Sequence, residues 1–478
     1  MAKSEESNIS RRKYLQIAGA GVAGLVVGGA LGYVANPGVT APPTTVTNTV
    51  TETVTGTVTA PPTTVAMTIP PKPDKIRIVT EEDALYTKMY APRFKQLYGI
   101  DLEFATGEYS NVFEKETADF MAGGGSYDVV DLMFGDMLGW AKKGYITSLD
   151  PFMAASGHSW DEIAGGEAYK SISQYNGTTY CFPSFISPVG IWVYRTDVYN
   201  ALGLTPPKTM QDVLTLAKAT TKKDASGKVS MWGECEDWND DNLANDWWYI
   251  VKAHGGRIYD ENGYPVYNDD KGQMALQWMK DFYDSGTLDP DTLNIDSTGT
   301  EASNFRMGLC ASHMDSPWTY TYYNDPKESQ VIGKFAWAKM PANPPLETAC
   351  ADFSMAWGLA SKGNTYWGWK FLEMVTFDYD LNLARGGYPP DPDYGSSGPA
   401  LKAVYSDPKL LNANPFLSEV LESISYTPGF IAPYTEHDIE IYKTVYNVYL
   451  KQAIRGETSV KDALDAAVQK HKGILGLA

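Results

Sequence analysis

Carboxylates and flat aromatic rings carry most of the chemical potential of this sequence, and they stand side by side. Glu236-Asp237-Trp238-Asn239-Asp240-Asp241 runs into Trp247-Trp248-Tyr249, Asp136 lies four residues before Trp140, and Asp315 lies three before Trp318. Glu82-Asp83 and Tyr109 add further acid and aromatic positions. Such a set suits three chemistries. A ring stacks on the C–H face of a sugar while Asp, Glu, Asn or Arg exchange hydrogen bonds with its hydroxyls. A cluster of carboxylates neutralises a polyamine or another cation. Two carboxylates at a fixed separation, Asp136 and Glu236 for example, could act as acid and base in an extracellular glycoside hydrolase or lyase. Nothing marks any carboxylate as specially placed for that last task, so no catalytic residue is assigned and the chain is read as a non-enzyme. The five histidines, His158, His254, His313, His437 and His471, have no metal-ligand spacing and form no H-E-x-x-H. Asn294–Glu301 and Asp391–Tyr394 lack the regular spacing of a calcium loop and read as solvated loops. Neither a metal nor a cofactor is expected.

The elements that must position these residues alternate. Lys75–Thr80 reads as a strand, and Tyr86, Tyr90, Phe94 and Leu97 share a helix face that Pro92 interrupts and Gly99 ends. A second strand, Asp101–Thr106, a helix, Val112–Ala122, and a buried strand, Ser126–Phe134, follow. Alternation of this kind builds a parallel sheet, whose ligands sit beyond the carboxyl ends of its strands. Those ends carry Glu82, Asp83, Tyr109 and Asp136 with Trp140.

Length and charge bound the rest. The 478 residues allow two or three domains, and a formal charge of −19 argues against a nucleic-acid partner. Ser10-Arg11-Arg12-Lys13 followed by an apolar Gly/Ala-rich run, Tyr14–Val34, has the form of a twin-arginine export signal. Val34-Ala35-Asn36 is a poor cleavage site, so residues 14–34 are expected to remain as an anchor. Gly19-Ala-Gly21-Val-Ala-Gly24 has no preceding strand and is not a dinucleotide site. Residues 36–73, rich in Thr, Val and Pro, read as a disordered stalk of the kind often O-glycosylated at a cell surface.

The centre of the chain, Asn176–Val213, orders a series of weak signals. Asn176-Gly177 is a tight hairpin turn, Asp197–Gly203 a short helix with a C-terminal Gly, and Thr209-Met-Gln-Asp212 a capping box after Pro206-Pro207. This order resembles the hinge-crossing segment of the family 1 extracellular solute-binding proteins of ABC importers, the maltose-binding-protein type. The runs FRMGLCASHMDSPW at 305–318 and FSMAWGLAS at 353–361, and the capped last helix from Gly456, are similar to further motifs of that family, so the resemblance covers about Lys75 to Leu475. The long stalk, the four cysteines and the very aromatic Cys235–Tyr249 stretch depart from it.

The resemblance implies an α/β, two-lobed periplasmic-binding-protein-like fold of type II, with lobe one at 74–183 plus 356–411 and lobe two at 184–355 plus 412–478. It implies a monomer that closes a hinge on a small-molecule ligand and delivers it to ABC permease subunits with a cytoplasmic ATPase. Carbohydrate is the first choice of ligand, with the polyamine and the carbohydrate-cleaving enzyme as alternatives, and a structural surface-layer protein as a further one. The matching ligand positions are Asp136 and Trp140 on lobe one and Trp238 and Trp318 on lobe two, with Glu236, Asp237, Asp315, Glu82, Asp83, Tyr109, Ser187 and Trp357 as supporting candidates. The even cysteine count permits three pairings, of which the implied hinge and sheet positions favour Cys181–Cys350 and Cys235–Cys310. Asn176-Gly-Thr178 is a glycosylation sequon on a hairpin tip.

Overall fold

The computed structural model describes residues 49–50, 63–64, 67–81, 86–107, 109–132, 134–183, 186, 188–189, 191–239, 242–294, 300–316, 319–349, 351–352, 356–389, 398–418, 421–422 and 435–477. The export signal, the apolar run and nearly all of the stalk lie outside these residues. Among the described residues no helix is long and apolar enough to cross a membrane.

The first lobe is built on a five-stranded sheet. Lys75–Glu81 pairs in parallel with Asp101–Gly107 on one side and with Val129–Leu132 on the other. Ala356–Leu359 then enters antiparallel between Val129–Leu132 and Cys181–Pro183. Helices Ala91–Tyr98, Tyr109–Met121 and Phe134–Lys143 make the crossovers. Pro92 does not kink a helix. It sits in the first turn of Ala91–Tyr98, where its missing N–H costs nothing, and the preceding Tyr86–Tyr90 forms a π-helical turn. Every residue of Val129–Leu132 is buried, including Asp131, which accepts from the Thr80 hydroxyl at 2.7 Å while its N–H donates to Glu116 at 2.9 Å. The core contains Ile76, Val130, Phe182, Trp357, Trp369 and Phe371, and extends to Leu417.

The second lobe has a three-stranded antiparallel sheet, with Ile191–Arg195 between Ser312–Asp315 and Phe335–Lys339. Its core joins the helices Leu243–Ala253, Asp270–Asp284 and Val460–Ile474 through Trp247, Tyr249, Phe282, Tyr446 and Leu464. Between the lobes, Pro188–Val189 pairs antiparallel with Ala351–Asp352, a two-stranded ribbon in which the outgoing and returning chains run together.

Local signals in the crossing segment are realised. Asn176 (φ 50°) and Gly177 (φ 78°) both take positive φ at the tip of the hairpin Gln174–Tyr175/Thr178–Thr179. Gly203 ends its helix in the left-handed region, and Thr209 and Asp212 cap Met210–Thr220 reciprocally. Regular strand is shorter than the residue pattern suggests at one buried element: the strand expected from Ser126 begins at Val129.

Cys235 and Cys310 are joined, Cα to Cα 5.9 Å. Cys181 is a free, buried thiol, so the expected Cys181–Cys350 bridge is not made, and Cys350 lies outside the described residues. Strand register explains it: Cys181 stands opposite Gly358, whereas Ala351 stands opposite Val189, at the far end of the crossing. The Cys235–Cys310 link closes a loop of 75 residues. Chain entropy puts its contribution at about 4 kcal/mol, so Cys235→Ser with Cys310→Ser should lower the free energy of chemical unfolding by that order, as should reduction of the wild-type chain.

Candidate functional site

The carboxyl ends of the lobe-one strands meet one half-buried acid, Asp136, in the first turn of Phe134–Lys143. A carboxylate is favoured there by the helix N-terminus. Behind it, Glu116 is fully buried, and burial first, then the charges of Asp131 and Asp136, hold its carboxyl well above the ordinary range. Tyr109 opens the helix after Asp101–Gly107, so its backbone stands at the same sheet edge. Glu82, Asp83, Ser187 and Trp318 lie outside the described residues.

Three predicted aromatic platforms are corrected. Trp238 and Trp357 have no accessible surface and Trp140 keeps 5%. Trp357 meets Phe371 edge-on at 5.3 Å, Trp238 meets Phe282 at 6.5 Å, and Trp140 meets Phe120 at 5.0 Å. A ring enclosed in this way offers a ligand no face, so these tryptophans are core.

The predicted acids of lobe two do converge, but inside the lobe. Glu236, Asp237 and Asp315 are all buried, and three acids not offered as ligand positions join them: the buried Glu234 and Asp246, and Glu301, which is half-buried in the helix Thr300–Arg306 rather than in the solvated loop expected of it. Glu236 accepts from the Met314 N–H at 3.1 Å and lies against both Glu234 and Asp246, while Glu301 lies against Asp237. Carboxyl pairs so close hold together only when one partner carries a proton. Burial is the leading cause that pushes Glu234, Glu236, Asp246 and Glu301 well above the ordinary carboxylate range. Asp315 accepts from Tyr323 at 2.7 Å and Thr319 at 2.9 Å, with His313 Nε2 at 3.3 Å. Among the described residues no group of His, Cys, Asp or Glu is arranged to hold a metal ion. Among the described residues these acids form a largely buried polar cluster in lobe two. One of the missed residues had left a signal: Asp246 interrupts Leu243–Ala253, a helix otherwise apolar or aromatic enough to be buried on nearly every side.

The lobes touch where residues 435–440 meet the helix of Asp136. Lys142 pairs with Glu436 at 2.8 Å, and Asp438 reaches the backbone at Gly135. Asp438 was not foreseen, because only the packing of the C-terminal segment against lobe one gives it a role.

Solved structures share this arrangement. A solute-binding protein of an ABC transporter from Agrobacterium radiobacter K84, in complex with ribitol, superposes with a TM-score of 0.73 at 23% identity, over 84% of this chain and 100% of that one. Maltose-bound MalE3 of T. maritima gives 0.73 at 22% identity, over 84% and 99%. A solute-binding protein from Agrobacterium vitis S4 with bound D-mannitol gives 0.69 at 21% identity, over 84% and 98%. At these identities the likeness establishes the two-lobed fold. No curated protein matches the chain. The sequence profile described as bacterial extracellular solute-binding protein matches residues 79–345, more than half of the sequence, and the chain belongs to that family.

Proposed function

We propose that this protein is the exported receptor of an ABC importer, which captures a carbohydrate or polyol between its lobes by hinge closure and presents it to a membrane permease. The observation that carries this reading is the pair of hydrophobic cores, one in each lobe, with the Pro188–Val189/Ala351–Asp352 ribbon crossing between them and Asp136 at the strand ends where the lobes face each other. Two lobes on a thin ribbon can rotate with little loss of packing within either. The ribitol, maltose and mannitol held by three proteins of this fold support an uncharged polyhydroxyl ligand. A carboxylate at that edge accepts two hydroxyl hydrogen bonds from such a solute. Capture without turnover is the function in this reading, so no catalytic role is assigned to any carboxylate.

The segments before Lys75 complete the proposal. Residues 1–35 export and anchor the chain, and 36–73 hold the lobes away from the membrane. The exposed Asn176 at its hairpin tip would carry a glycan. Tryptophan fluorescence titrated with sugars and polyols tests the reading: at least one should saturate, and Asp136→Ala should weaken that solute by at least about tenfold, as expected for hydrogen bonds to a charged acceptor, without lowering the thermal midpoint. Unchanged affinity in Asp136→Ala would remove that residue from the site.

A further inference from the structure

Asp438 belongs to lobe two: it opens Asp438–Ile441, whose continuation places Ile441, Tyr442 and Tyr446 in the second core. Its carboxyl nevertheless faces lobe one. Oδ1 accepts from the Thr435 N–H at 3.1 Å and from the Thr435 hydroxyl at 2.9 Å. Oδ2 is shut off from water and has no hydrogen-bond partner among the described residues. It is directed at Gly135, so closely that a Cβ at that glycine would stand 2.5 Å from Oδ2 and 3.3 Å from the Thr435 carbonyl oxygen. A side chain at this position would have to push the Asp438 carboxyl aside.

The charges around this contact fall into two groups. On the lobe-one side, the Asp136 carboxylate repels a charge on Asp438. From lobe two, the Tyr446 hydroxyl adds no positive charge, and is itself pushed upward by burial. The cations of the interface serve a different acid: Lys142 pairs with Glu436, and Lys143 and His437 also act on Glu436. His437 leans toward Glu440 at 3.7 Å. Burial, with the Asp136 charge adding to it, pushes the Asp438 carboxyl up to about 7, against the Thr435 hydrogen bonds that favour its charged form.

We propose that this contact is a proton-gated latch: the lobes close with uptake of a proton at Asp438, and opening returns the carboxyl to water, where the proton leaves. The inference rests on the hinge-closing reading above but not on which solute is bound. The sign follows from linkage. Within this contact the carboxyl is pushed up to about 7, while a solvated aspartate loses its proton near pH 4. Closure is therefore favoured by acid and disfavoured as pH rises through that window. The closure equilibrium should fall on the order of 10- to 100-fold between pH 5 and pH 8. Solute affinity should fall with it, so a receptor loaded in an acidic medium would release on meeting a more alkaline one.

The test needs no solute. Spin labels on the full chain at Met121→Cys and Met307→Cys, two exposed positions in different lobes, report the interlobe distance. The short distance should dominate at pH 5 and the long one at pH 8. Asp438→Asn, neutral at every pH, should stay closed at both. Gly135→Ala should shift the distances toward the open form at both, because its methyl group displaces Oδ2. His437→Gln should keep the wild-type response, which separates the latch from histidine titration. Circular dichroism melts establish that each variant is folded. Identical distance distributions at the two pH values in the wild type, or a pH response that survives in Asp438→Asn, would overturn the proposal. If no sugar ever binds, a pH-dependent distance still stands. If a sugar binds and the distance ignores pH, only the latch fails.

Discussion

The thermal midpoint should rise by roughly 5–10 °C as the pH is lowered from 8 to 6.5. Glu116, Glu234, Glu236, Asp246 and Glu301 all have folded-state values raised well above the ordinary range, with burial as the first cause. A carboxyl raised on folding contributes stability that is complete below its unfolded value, near 4.5, and is lost as pH climbs toward its folded value. While such a group remains protonated in the native state, each pH unit of acidification adds about 1.4 kcal/mol. Two groups of the five suffice for the expected shift. The window above 6.5 is chosen because two buried histidines act in the opposite direction below it. His471 is lowered to about 4 and His254 is also lowered, both by burial. Each favours the unfolded chain once pH drops below about 6.5. Stability should therefore climb steeply from pH 8 to 6.5 and flatten below. Glu236→Gln, which keeps an acceptor for the Met314 N–H, should flatten the climb and raise the midpoint at pH 8. A midpoint constant or falling over this window would mean that the lobe-two acids are solvated and charged.

Trp357→Ala should cost about 3–5 kcal/mol in denaturant unfolding, and Trp238→Ala a similar amount, the range for truncating a large aromatic in a packed core. Trp357 has no exposed surface and its strand is central between Val129–Leu132 and Cys181–Pro183. Trp238 packs in the second core beside Phe282, and its indole lies near the Asp246 carboxyl. The folded fraction of each variant should keep wild-type solute affinity, measured by titration under conditions where it is fully native. The opposite pattern, weak binding with stability intact, would return these rings to the cleft.

The Asn176-Gly177 turn, the Thr209/Asp212 cap and the Gly203 stop are legible because each is fixed by a few adjacent residues whose backbone preferences agree. The Cys235–Cys310 pairing was legible only through the shared sheet position that the family resemblance implies, and in the structure the Trp232–Cys310 bridge brings the two segments side by side. The proposed Cys181 bridge failed on register, which depends on strand pairing far away in sequence. Trp140, Trp238 and Trp357 failed for the same kind of reason. A tryptophan near a strand end looks alike in sequence whether its ring turns toward solvent or into the core, and only the partners Phe120, Phe282 and Phe371 decide. The lobe-two acids were half legible. Glu236 and Asp237 announce themselves as a charged run, but Asp246 and Glu301 join them only through helix packing.

Solute capture by closure is the central claim, and heat-flow titration of the full chain with a panel of monosaccharides, oligosaccharides and polyols, with product analysis of each mixture, tests it most directly. The account predicts saturable binding of at least one member, one solute per chain, recovered unaltered at the end. Hydrolysed sugar would contradict it in favour of an enzyme, and silence across the panel with saturable binding of a polyamine would contradict the carbohydrate assignment.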